Sequence, residues 1–319
     1  MGSGTWSAEN FFARGGANRA AGIDTFDYSV RAKQSGRLVA HPSLDPMGLT
    51  LRESRDNPDH PESNAILISL DVTGSMGRVV RGIHRDLPRL HELLLGKKYL
   101  PDPQVCFAAV GDATCDAVPL QIGQFESDNR MDANLENMIL EGGGGGQMTE
   151  SYELTLYAAA RHTALDCHGK RGRKGYLFII GDEMAYPVVR RAHVHRLIGV
   201  DPQADLPLAQ IVTEAREKYH VFFVIPGGAH HGHDQGVLTF WQHTLGLTNV
   251  LVLDNPDDTS ECIAMTIGLT EGVISPAQAQ EHLREEKRGL LGKALHGLLT
   301  AFGLEKPPAS GDVTGTRRL

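Results

Sequence analysis

A chain of 319 residues with 41% apolar and 22% charged side chains can bury a large core and is too apolar for a disordered polymer. Its formal charge of −8 argues against a nucleic-acid binder, and its one basic run, inside residues 161–174, reads as a solvated loop. Four scattered cysteines without a CxxC pair argue against a disulfide framework, and no stretch reads as a secretion leader or membrane helix, so a cytoplasmic setting without membrane contact is expected.

Residues 1–60 are rich in Gly, Ser, Asn, Asp and Arg, yet they carry Trp6, Phe11, Phe12, Phe26 and Tyr28. A disordered tail would hold fewer rings, so these residues are expected to form an N-terminal arm packing on the core, with room for a short hairpin. A linker with two prolines leads into the first core strand, 65–71. A helix is expected over 78–95, kinked or broken at Pro88. A strand at 104–110 follows, then an alternating segment at 118–125 whose Pro119 suits an edge strand, then a short helix at 130–140.

Five glycines at 142–146 interrupt the pattern, and a helix runs from there to about residue 164. Beyond it come a strand at 176–180, a less regular segment at 185–208 carrying His193 and His195, a helix at 209–218 and a strand at 221–225. A glycine- and histidine-rich loop at 227–236, a helix at 238–245, a strand at 250–253 and a helix at 259–269 complete the series. This alternation predicts an α/β fold over 61–272: a doubly wound, mostly parallel six-stranded sheet with one antiparallel edge strand. A C-terminal helix is expected over 273–304, with Ser275 as N-cap, Pro276 at its first position and Gly289, Gly292 and Gly297 weakening it. Residues 305–319 read as a disordered tail.

The chemistry gathers where the first strand ends. Asp71, Thr73 and Ser75 follow a buried apolar run, at the strand edge where open α/β sheets place ligands. A carboxylate and two hydroxyls are hard oxygen donors suited to a magnesium-like cation. The segment Asp71-Val72-Thr73-Gly74-Ser75-Met76 resembles the first segment of the metal-ion-dependent adhesion site of von Willebrand factor type A domains. That family adds a threonine after a glycine-rich loop, matched here by Thr149, and an aspartate after a later core strand, matched by Asp182. Thr149 follows Gln147-Met148, and Asp182 is followed by Glu183, so either acid could lie nearer the metal.

The resemblance implies a Rossmann-like von Willebrand factor A fold that binds Mg2+, Mn2+ or Ca2+ through Asp71, Thr73, Ser75, Thr149 and Asp182. The cation would remain one oxygen short, and a protein partner's Asp or Glu would complete it, with no turnover. Without a secretion signal or disulfides, an intracellular bacterial or phage setting is expected, and intracellular relatives in the family often work beside AAA-type ATPases, which makes such an ATPase a partner implied by analogy.

Two other readings stay open. Asp-x-Thr-Gly-Ser is also similar to the phospho-acceptor segment of haloacid-dehalogenase-like phosphohydrolases, in which Asp71 would be a nucleophile beside magnesium. Against it, Thr73 stands where most of those hydrolases carry an acid, and the glycine run has no role there. The third reading is a metal-free scaffold. Asp112 reads as a turn or cap residue, with a place behind the metal ligands as the alternative, and His230, His231, His233 and Asp234 as a solvated loop without zinc-ligand spacing.

Overall fold

The computed structural model describes residues 4–49, 51–143, 146–286 and 289–302, and the side chains of Ser75 and Leu290 lie outside that description. Its centre is a six-stranded sheet made of β1 (Asn64–Asp71), β2 (Pro103–Val110), β3 (Leu120–Ile122), β4 (Gly175–Ile180), β5 (Tyr219–Ile225) and β6 (Val250–Val252). The spatial order is β6-β5-β4-β1-β2-β3. All neighbours run parallel except the edge pair β2 and β3, which is antiparallel.

Both faces of the sheet are covered, so its strands are continuous apolar runs rather than alternating ones. Ile66, Ile68 and Leu70 of β1 belong to one hydrophobic cluster, and Ala65 and Leu67 to a second. The first cluster takes in α3 (Gly77–Arg85), α4 (Leu87–His91) and α11 (Thr259–Thr270). The second takes in α6 (Tyr152–Arg161), α9 (Leu208–Lys218) and α10 (Gln235–Leu245).

Three elements differ from the sequence reading. The helix expected over 78–95 is α3, then α4 after a break at Asp86, then a wide π turn at Glu92–Gly96. Pro88 sits in the first turn of α4, where its missing N–H costs least. The arm forms α1 (Ala8–Ala20) and α2 (Asp27–Gln34) rather than a hairpin. The C-terminal segment is α12 (Pro276–Glu285), α13 (Gly289–Ala294) and α14 (His296–Ala301) rather than one helix. Residues 305–319, expected as a tail, lie outside the described residues. Ser275 caps α12 as its sequence implies: its hydroxyl accepts from Gln278 N at 3.2 Å while the Gln278 side chain accepts from Ser275 N.

The arm is part of the core. Trp6 stacks on His91 at 4.3 Å, and its indole N–H donates to Asp132. Phe26 is fully buried in the first cluster, with the Arg81 guanidinium 5.0 Å above its ring. Phe26→Ala is therefore expected to cost about 3–5 kcal/mol, read as a lower urea midpoint with an unchanged slope. Among the described residues no helix is long and apolar enough to cross a membrane.

Candidate metal centre

Register sets the site. Asp71 pairs with Val110, and Leu70 pairs with Ile180, so the central strands end nearly flush. Asp71 closes β1, and Asp182 follows β4 by two residues. Strands β1 and β4 are neighbours in space although two strands separate them in the chain. Connections leave this pair in opposite directions, which opens a crevice at the strand edge.

Asp71 is fully buried and both of its oxygens are engaged. Oδ1 accepts from Thr73 N at 2.8 Å and from the Thr73 hydroxyl at 2.6 Å, an Asx turn reinforced by the side chain. Oδ2 accepts from the Tyr152 hydroxyl at 2.6 Å. Tyr152 opens α6 and meets the stacked pair Phe223 and Trp241 edge-on, at 5.5 and 5.7 Å. To reach Asp71 it passes against Gly181, where an added Cβ would run into the phenol oxygen. Gly181→Ala is expected to destabilise the chain by about 1–3 kcal/mol through overpacking, seen as a lower unfolding temperature that Tyr152→Phe does not restore, since the ring carbons Cζ and Cε1 themselves lie 2.6 and 2.8 Å from the added Cβ.

The glycine run closes the turn from the other side. Gly74, at φ +39°, donates its N–H to Gly143 O at 2.7 Å, and Gly142 N donates to Val72 O at 3.1 Å. A cavity of about 540 Å³ opens between these backbones, lined also by Thr73, Asp182, Glu183, His230 and His231. Asp182 Oδ2 accepts from His231 N at 2.9 Å, which ties the histidine-rich loop to the site. His231 Nε2 stands 3.9 Å from Glu183, so this loop borders the cavity rather than lying apart from it.

The structure therefore gathers Thr73 and Asp182 at one cavity with Asp71 beneath. Ser75 lies on the short turn Gly74–Met76, and its side chain is outside the described residues. Thr149 is placed differently. It pairs with Met184 in a short parallel bridge, and its hydroxyl donates to Gln147 O at 3.4 Å rather than to Asp71. Glu183, the alternative to Asp182, is half-buried on the same cavity wall.

The electrostatics are those of crowded carboxylates. Burial above all, together with the Asp182 charge, pushes Asp71 up to about 7 against its donated hydrogen bonds. Burial and then the charges of Asp182 and Asp112 push Glu183 to about 7. Glu150 is pushed further, to about 10, by burial and then by Asp71, Glu183, Asp116 and Asp112. Its Oε2 is buried without a hydrogen-bond partner among the described residues.

Tyr152 and Glu150 were not identified from the sequence. No residue spacing marks a tyrosine 81 positions from the carboxylate that it serves. Asp112 was legible as a turn: it repeats the Asp71 geometry, accepting from Thr114 N and the Thr114 hydroxyl at 2.8 Å each. The signal is the same Asp-x-Thr spacing.

The donors fit a hard cation in kind. The Thr73 hydroxyl directs its proton at Asp71, which leaves its lone pairs for another partner. The acids that push one another upward would be relieved by positive charge. Among the described residues no three His, Cys, Asp or Glu side chains converge closely enough to hold a metal by themselves, so hydroxyls and water would have to complete the set.

No protein-family model and no curated protein matches the chain. Among solved structures, the chain is similar to the pilus adhesin SpaC from Lactobacillus rhamnosus GG in its open conformation, with a TM-score of 0.46 and 9% identity, covering 69% of this chain and 31% of that one. It is also similar to proximal thread matrix protein 1 from the mussel byssus, with a TM-score of 0.43 and 10% identity, covering 64% of this chain and 47% of that one. The chain thus spans about a third of the adhesin's length and about half of the thread protein's.

Proposed function

We propose that the chain is a doubly wound von Willebrand factor A-like domain that holds a divalent cation and, through it, an acidic residue of a protein partner. The strand order supports the topology, since numbering along the sheet gives the 3-2-1-4-5-6 order of doubly wound proteins. The single observation that carries the site is the Asp71 turn. One buried carboxylate orients the Thr73 hydroxyl toward a cavity that Asp182 also lines. Thr73 and Asp182 would touch the cation, with Ser75 as a further hydroxyl and Asp71 holding the turn from below. A bound Mg2+ or Mn2+ would supply an oxygen-seeking position for the partner's carboxylate. The glycine backbones at 142, 143 and 146 leave room for that carboxylate to approach. Thr149 enters only if its hydroxyl leaves Gln147.

The phosphohydrolase reading is the weaker one. A nucleophilic aspartate needs an accessible oxygen, and both Asp71 oxygens are buried and occupied. A cytoplasmic setting and an AAA-type ATPase as partner rest on the resemblance alone. Crystals soaked in manganese should show an anomalous peak at bonding distance from Thr73 Oγ1 and Asp182. A peak elsewhere, or none at millimolar manganese, would leave the scaffold reading in its place.

A further inference from the structure

A second cavity, of about 490 Å³, opens between α12, α13 and α14 and shares no lining residue with the cavity at Asp71. Leu283 and Leu299, at 3% and 1% exposure, form its floor. The exposed side chains of Arg284, Lys293 and His296 form its rim, with Gln280 beside them, and among the described residues no acid lines it. Among the described residues none of these three basic side chains has a hydrogen-bond or ion-pair partner. Elsewhere in this chain of net charge −8 many arginines are matched: Arg89 with Glu92 and Glu261, Arg161 with Glu214, Arg171 with Asp56.

We propose that this cavity binds a small amphiphilic anion, a carboxylate with an apolar body. The volume suits such a ligand, since small-molecule pockets run from about 300 to 1,000 Å³ and join an apolar lining to a few convergent polar groups. The apolar body lies on Leu283 and Leu299, where the water released drives binding. The carboxylate sits between Arg284 and Lys293, because charge-assisted hydrogen bonds to a cation are the stronger kind and both cations are free to make them. His296 adds a third donor. An unmatched cationic rim rejects a cationic amphiphile and gains nothing from a neutral one, so the headgroup charge decides. The site shares no residue with the metal centre and stands whether or not that reading holds.

Isothermal titration of the full chain with decanoate, and with decan-1-ol as the uncharged control, tests this. Decanoate is expected to bind saturably with one site per chain, and the alcohol roughly tenfold or more weaker. The double variant Arg284→Ala/Lys293→Ala is expected to weaken decanoate by roughly tenfold or more while leaving the alcohol unchanged. Gly292→Leu provides an independent variant. An added Cβ there meets only Leu283 Cδ1, at 3.6 Å, so the side chain fills the cavity without a backbone clash and should weaken both ligands. Absence of saturable decanoate binding, equal affinity for acid and alcohol, or undiminished decanoate affinity in a cooperatively folding double variant would each overturn the proposal.

Discussion

Asp71→Asn is expected to abolish the thermal stabilisation that manganese confers on the wild-type chain while leaving the chelated protein at least as stable at pH 8. The two halves of that result have separate causes. A ligand at a hundred times its dissociation constant stabilises a folded chain by about 2.7 kcal/mol, worth several degrees of unfolding temperature. Removing the one charge that organises the Thr73 turn removes the site for that ligand. Without metal, however, the Asp71 charge is a burden, since burial has already pushed its carboxyl up to about 7. Asparagine keeps the shape and can still accept from Thr73 through its amide oxygen. If Asp71 served only as a turn residue, the substitution would lower stability slightly and leave the manganese response intact. Scanning calorimetry of both proteins, with chelator and with manganese, separates these outcomes.

In chelator, the stability of the wild-type chain relative to Asp71→Asn is expected to fall as pH rises from about 4 to about 7. The sign follows from proton binding. The Asp71 carboxyl lies at about 7 in the folded chain against an ordinary 3.8, so between those values the folded state holds the proton and the unfolded state does not. Stability is fully present below the lower value and is lost as pH climbs to the upper one. Three units at about 1.4 kcal/mol each amount to roughly 4 kcal/mol. Glu183, also near 7, and Glu150, near 10, push in the same direction in both proteins. Buried His91, lowered to about 3, pushes the opposite way, as an imidazole that must stay neutral and has no hydrogen-bond partner among the described residues. Comparing the two proteins cancels the Glu183 and His91 contributions, while Glu150, which Asp71 itself helps to raise, adds to the difference in the same direction. Manganese is expected to reverse the slope, because a cation held above Asp71 favours its charged form and so binds better as pH rises. A wild-type-minus-variant difference that is flat with pH in chelator would show that Asp71 is not strained in the folded chain.

The order of strands and helices was legible because each strand of the sheet is a short apolar run with the period and flanks of its element. The Asp71–Thr73 turn was legible too, since its two partners lie two residues apart and its geometry is local. The same holds for the Ser275 cap and for the Pro119 edge, next to the antiparallel strand β3. The rings at Trp6, Phe11 and Phe26 pointed to an arm that packs on the core, but not to its helices, because short helices such as α1 and α2 take their stability from docking on α3 and α4 rather than from local propensity. The division of the C-terminal segment into three helices likewise depends on which leucines the core accepts: Leu291, Leu295 and Leu298 are buried there, while Phe302 is left 44% exposed.

Local residue pattern alone carries a series of buried strands ending in short polar turns, and the hydroxyl-bearing turn at Asp71 in particular. Only the tertiary structure decided that β4 lies beside β1, and so that Asp182 shares a cavity with Thr73. It alone placed the Tyr152 phenol on the Asp71 carboxylate through the space left by Gly181, and turned the Thr149 hydroxyl back on Gln147. The physical reason is that turn geometry is fixed by neighbouring backbone, whereas the solvation of a carboxylate depends on which distant segments cover it.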